Sequence, residues 1–147
     1  MSKVRATYHL VFGTKNRIQT ISPEYRRELY SYIFTILKAN KCYVHRINGM
    51  ADHIHILFDL SPTKALSDIV KSVKQSTSNW LKNNPKFPIF EGWCRGYYGF
   101  TLSMEDIPAA IEYIINQQNH HNTYGYIREV RGIASSQKFE WFDDDWM

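Results

Sequence analysis

The chain opens on a two-residue beat. In "VRATYHLVFGT", residues 4–14, Val4, Ala6, Tyr8, Leu10 and Phe12 share one parity, the alternation of a half-buried strand. The period then lengthens in "SPEYRRELYSYIFTILKAN", where Leu29, Tyr32, Ile33, Ile36 and Leu37 recur at helical steps. Ser22 stands as a cap and Pro23 in the first turn, so an amphipathic helix is expected over 23–39. "KCYVHRINGM" and "DHIHILFDL" read as two strands meeting around Asn48-Gly49, a strong hairpin signal. A second helix is expected over about 64–82. Leu66, Ile69, Val70, Val73, Thr77, Trp80 and Leu81 mark its buried side, and Lys71, Lys74, Gln75, Ser78 and Lys82 the other. Pro85 and Pro88 punctuate a connection, and "GWCRGYYGFTLS" is aromatic and extended. "SMEDIPAAIEYIINQQNHH" begins a last helix with Ser103 as cap and acids in the first turn. This order predicts an α+β fold, one domain over 1–147 built as an antiparallel sheet with helices packed on it. The tail from about 122 to 147 is left without an assigned structure.

Length and composition narrow the class. With 147 residues, 44% hydrophobic and 22% charged, the chain suits one globular core. Cys42 and Cys94 are too far apart for a C-x-x-C pair and read as reduced thiols without a disulfide framework. "MSKVRATYHL" lacks the apolar centre of a signal peptide, and no apolar run is long enough for a bilayer, so a cytoplasmic protein with no membrane partner is expected. The net charge of +4 is unevenly spread. The segment "EWFDDDWM", residues 140–147, holds Glu140, Asp143, Asp144 and Asp145 and no base, leaving 18 basic against 10 acidic residues on the rest. A basic body suits a polyanionic partner.

Chemistry enters at "ADHIHILFDL". Ile54, Ile56, Phe58 and Leu60 take one parity, and His53, His55, Leu57 and Asp59 the other. Both imidazoles therefore leave the same face of a strand, with Cα atoms about 6.5–7 Å apart, and can converge on one divalent ion. A His-x-His also occurs in cupins, in hydrolases and in purely structural strands, so a third ligand and a reactive group must come from elsewhere. The last helix offers both. Tyr113 and Gln117 stand four residues apart on one face, with Ile107, Ile111, Ile114 and Ile115 as an apolar flank. Tyr113 can act as a nucleophile, and the Gln117 carboxamide oxygen can serve as a hard ligand. His120 and His121 continue near that face. Their role is open: metal neighbours, DNA contacts, or residues suited to a helix end.

"DHIHILFDL" followed by "EYIINQQNHH" resembles the HUH single-tyrosine transposases of the smallest bacterial insertion sequences and their relatives associated with repetitive extragenic palindromes. His53-Ile54-His55 matches the His-hydrophobe-His motif, and Tyr113 with Gln117 matches the family's Tyr-x-x-x-Gln. "YHLVFGTKNR" and "LSDIVKSVKQSTSNWL" add to the likeness, which covers about residues 5–121. The resemblance implies a ferredoxin-like, RRM-like HUH fold and binding of single-stranded DNA beside an imperfect hairpin. It implies that Tyr113 attacks a backbone phosphorus to leave a 5′-phosphotyrosine and a free 3′-hydroxyl, rejoined later without ATP. It further implies Mg²⁺ or Mn²⁺ at His53, His55 and Gln117, and a homodimer whose subunits share active sites. No glycine motif for a nucleotide cofactor is present.

Weaker candidates for DNA contact are Lys71, Lys74 and Lys82 on the second helix, Lys15 and Arg17 after the first strand, and Arg95, Tyr97, Tyr98 and Phe100 in the aromatic segment. Three other readings stay open at this level. One is a relative acting on, or domesticated for, repeat hairpins. Another is a metal-dependent phosphoester hydrolase using His53, His55 and His120 or His121 with water. The third is a non-catalytic interaction domain.

Overall fold

The computed structural model describes residues 2–117. The elements run β1 (Thr7–Gly13), α1 (Arg26–Ala39), β2 (Tyr43–Met50), β3 (His53–Asp59), α2 (Leu66–Lys82), β4 (Tyr98–Leu102) and α3 (Ile107–Ile115), with short 3-10 turns at Lys15–Arg17 and Met104–Asp106. The strands form one antiparallel sheet in the order β2-β3-β1-β4. This is the α+β domain that the alternating periods predict.

One face of the sheet carries the main core. Leu10 and Phe12 from β1 and Ile54, Ile56 and Phe58 from β3 meet Leu29, Ile33 and Leu37 of α1 and Ile69, Val70, Val73 and Leu81 of α2. Full burial of such side chains contributes about 1.5–3 kcal/mol each. The α2 stripe holds throughout, including Thr77. Its hydroxyl donates to the Val73 carbonyl at 2.6 Å and accepts from the Trp93 indole at 2.9 Å, which satisfies a buried polar group. Tyr32 of α1 stacks on Trp80 of α2 with centroids 5.2 Å apart.

Three boundaries differ from expectation. The hairpin turn is Ala51-Asp52, and Asn48 and Gly49 lie inside β2, opposite His55 and Ile54. A Cβ at Gly49 would run into the His53 carbonyl oxygen, so glycine serves close strand approach rather than the turn. The turn is held from outside: the Ala51 carbonyl accepts from the Thr20 and Ile21 amides, and that of Asp52 from Thr14. The first helix starts a turn late, because Ser22 closes a separate turn through the Glu24 and Tyr25 amides. In the aromatic segment only Tyr98–Leu102 pairs as a strand, apart from a single bridge between Thr14 and Trp93.

Candidate active site

Strand parity sends His53, His55 and Leu57 to the face opposite α1 and α2. The antiparallel register adds His9 from β1, paired with Leu57 and diagonal to His55, and Asn48 from β2, paired with His55. Over them lies α3, whose Ile107 and Ile114 pack on Leu57, flanked by Leu102, Ala110, Ile111 and Tyr113. That lid of isoleucines leaves His53 and His55 at 0% exposure, so they sit beneath a helix rather than at an open rim.

The same packing brings the sequence candidates together. The Tyr113 ring stands 5.9 Å from that of His55 and 6.2 Å from that of His9, both edge-on. Tyr113 is half-buried, while Gln117 is fully buried with its Oε1 3.3 Å from His53 Nε2. The His53 and His55 rings lie 5.1 Å apart at 71°. All four groups meet within one chain. Outside the ladder, Asn48 holds the helix in place: its Nδ2 donates to the Ile114 carbonyl at 2.8 Å and that of Ile115 at 3.4 Å. Those carbonyls belong to the last turn of α3.

Tautomers follow from the partners. His53 Nδ1 is 2.8 Å from Asp52 Oδ1, and an ionised carboxylate only accepts, so Nδ1 carries the proton. His53 Nε2 lies 3.3 Å from the Gln117 oxygen. With the proton on Nδ1, a neutral His53 would turn the Nε2 lone pair toward that oxygen, and two such donors to a metal would fit a shared cation. Adjacent ligands of an octahedral ion stand about 3 Å apart when each bond is roughly 2.1 Å. Among the described residues no group of three or more His, Cys, Asp or Glu side chains is placed to hold a metal, so the third protein donor would be the carboxamide. Two imidazoles and an amide oxygen form a neutral set that fits Mn²⁺, or Mg²⁺ with added waters and phosphate oxygens.

The basic candidates divide. Lys15 and Arg17 are exposed on the turn that follows β1, at the sheet end where Gly13 pairs with His53. Arg95 is exposed beside the same end, one residue after Cys94, whose amide donates to the Gly13 carbonyl. Lys71 and Lys82 are exposed on α2, across the sheet from the histidines. Lys74 differs from the solvated face expected of it. Its ammonium donates to the Cys94 carbonyl at 3.0 Å, Arg95 at 3.4 Å and Gly96 at 2.8 Å, and lies 5.3 Å from the Phe12 ring centre. Burial pushes its pKa down, against a smaller opposing effect of Cys94. Lys74 thus fastens the 94–96 loop to α2. Tyr97 is exposed, whereas Tyr98 is buried at 8% within the sheet's packing, where it presents no open face for stacking. Phe100 sits against His9 at 4.9 Å. His120 and His121 lie outside the described residues. Cys42 and Cys94 are buried free thiols, and no described helix is long and apolar enough to cross a membrane.

Sequence reading missed His9, Asp52 and Asn48. The first had a signal: laying β1 antiparallel to β3 puts position 9 diagonal to 55. The other two act through a turn and a helix end that only the tertiary arrangement defines.

Comparison with known proteins places this geometry in a context. Residues 2–117 match the family model described as "Transposase IS200 like". The transposase for insertion sequence element IS200 of Salmonella typhimurium is 29% identical over 123 residues, covering 80% of each chain. A crystal structure described as a transposase of Deinococcus radiodurans superposes with TM-score 0.59 at 25% identity, over 79% of this chain and 93% of that one. A REP-associated tyrosine transposase bound to a REP hairpin gives TM-score 0.62 over 100% of this chain and 92% of that one, at 16% identity. That last likeness concerns the fold.

Proposed function

The chain belongs to the IS200-like transposase family, and from that premise we propose that it cleaves and rejoins single-stranded DNA through Tyr113. The observation that carries this reading is the meeting of four groups beneath and along α3: His53, His55, Gln117 and the Tyr113 phenol.

In the proposed reaction the Tyr113 oxygen attacks a backbone phosphorus. The new O–P bond forms as the bond from phosphorus to the 3′-oxygen breaks, leaving a 5′-phosphotyrosine. The phenolic proton is lost and the departing oxygen ends as a 3′-hydroxyl. Reversal by another 3′-hydroxyl restores a phosphodiester and the free phenol. Bond number and type are conserved, so no nucleotide is consumed. The family implies a divalent metal. His53, His55 and Gln117 would hold it, and it would supply Lewis-acid polarisation of the scissile phosphate. Asp52 keeps His53 in the ligating tautomer. Burial under α3 excludes water, the competing nucleophile.

Lys15, Arg17 and Arg95 surround the His53 end of the sheet and suit the phosphates of the incoming strand. Lys71 and Lys82, on the opposite face, suit a duplex hairpin stem. A hairpin-bearing substrate accords with a relative of the same fold bound to a REP hairpin. A homodimer in which α3 is exchanged would rebuild the same contacts between copies.

The test uses labelled hairpin-bearing single-stranded DNA with Mn²⁺ on a denaturing gel. Wild type is expected to give a covalent adduct that chelator abolishes. Tyr113→Phe should lower the adduct at least about 10³-fold with DNA binding retained. Undiminished adduct in that variant would refute the assignment. Turnover of small phosphate esters without any adduct would favour a water-using hydrolase.

A further inference from the structure

His9, His53 and His55 are the buried histidines among the described residues, and the scheme above employs the last two. His9 is 4% exposed in the middle of β1, with its Nε2 2.8 Å from His55 Nδ1. We propose that His9 is a positioning residue that fixes the tautomer of His55, and the inference rests on the metal-site reading given above. In this arrangement His55 Nδ1–H donates to the lone pair on His9 Nε2. His55 then carries its proton on Nδ1, and Nε2 is the nitrogen that bears the lone pair a cation would need.

The reasoning is chemical. A ligating imidazole must present a lone pair, and which nitrogen presents it is set by the bond the other nitrogen makes. In water the two tautomers exchange through solvent. Under α3 His55 is fully buried, and His9 Nε2 lies 2.8 Å from its Nδ1, close enough to hold a proton there. His53 has a carboxylate for this purpose in Asp52, which keeps 15% side-chain exposure in the hairpin turn at the sheet's end. His55 lies one strand step deeper, where an ionised carboxylate would suffer a large desolvation penalty. A neutral imidazole performs the same acceptor role without charge, and it leaves the donor set neutral, which preserves the cation's pull on phosphate.

The position of His9 is itself fixed. Its ring is held against Phe100 of β4 at 4.9 Å and 57°, and against Tyr113 of α3 at 6.2 Å and 67°. The register places residue 9 diagonal to residue 55, within reach of aromatic side chains. One ring therefore supports a ligand histidine on one side and the nucleophilic phenol on the other.

The test reads tautomers directly. Long-range proton–nitrogen spectra of the full chain, labelled at histidine and free of metal, distinguish Nδ1–H from Nε2–H imidazoles. The expected result is Nδ1–H at His55 in wild type. His9→Gln places a carboxamide oxygen near the position of Nε2 and should preserve that tautomer. His9→Leu should release it into a mixture. Mn²⁺ affinity, measured by electron paramagnetic resonance, should fall about 10–100-fold in His9→Leu and stay within about threefold in His9→Gln. An Nε2–H tautomer at His55 in wild type overturns the proposal. So does a His9→Leu protein whose tautomer and affinity match wild type. Should the leucine variant fail to fold, the wild-type and glutamine spectra still decide. Wild type with the Nδ1–H tautomer but no Mn²⁺ binding would sustain the His9–His55 pairing and refute the metal reading instead.

Discussion

The two faces of the sheet are built for different ends. The face under α1 and α2 is filled by Leu10, Phe12, Ile54, Ile56 and Phe58, all at 0% exposure. The face under α3 buries three histidines and an amide, and its apolar cluster rests on Leu57, Ile107 and Ile114. Alternation in β1 and β3 lets one strand serve both. The thick apolar layer supplies most of the stability, and the thin one accommodates polar groups such as His53 and His55, whose Nδ1 atoms meet Asp52 and His9. A helix laid on a small contact can also be positioned, or displaced, at modest cost.

The contrast can be broken from either side. Phe58→Ala on the filled face should cost about 3–5 kcal/mol in urea unfolding. Ile114→Ala on the other face should cost less, about 2–4 kcal/mol. Its adduct yield, measured on the fraction still folded, should nevertheless fall further than that of Phe58→Ala, because α3 carries Tyr113. Equal yields from the two variants would remove the distinction between the faces.

A pH titration sharpens it next. Burial pushes the Tyr30 phenol of α1 from 10.0 to about 12, against the opposing influence of Arg26. Below pH 10 the phenol is protonated in both states and pH has no effect through it. Between pH 10 and about 12 the unfolded chain loses the proton while the folded one keeps it, so stability falls as pH rises, by roughly 2–3 kcal/mol at most. Tyr30→Phe should flatten that alkaline limb in pH-dependent melts. The smallest stability effect is expected at Asn48. Asn48→Ala should cost about 1 kcal/mol from its lost bonds to the Ile114 and Ile115 carbonyls. Faster amide exchange in the last turn of α3 would accompany a reduced adduct. Unchanged exchange there would show that α3 is held by its isoleucines alone.

Much of this was legible in residue order, for local reasons. Parity in β1 and β3 and the stripe of α2 are properties of neighbours along the chain, so the filled face followed directly. Asn48-Gly49 misled because a dipeptide that favours turns was needed for two tertiary tasks, a helix clasp and a close strand approach. The full burial of His53 and His55 depended on where α3 lands, and nothing near residue 53 encodes that. Tyr113 and Gln117 were singled out by their four-residue spacing on one helical face together with the family pattern. His9 was hidden on the polar parity of a strand whose apolar parity drew attention, although it is the strand register that gives it a neighbour. Lys74 read as part of a basic face, yet the 94–96 loop captures its ammonium.

The most direct measurement is the location of Mn²⁺ by anomalous diffraction in crystals of the full chain grown with that ion. The account predicts one strong peak within about 2.2 Å of His53 Nε2, His55 Nε2 and Gln117 Oε1, beside the Tyr113 phenol. A protein saturated with Mn²⁺ whose peaks all lie elsewhere would contradict it.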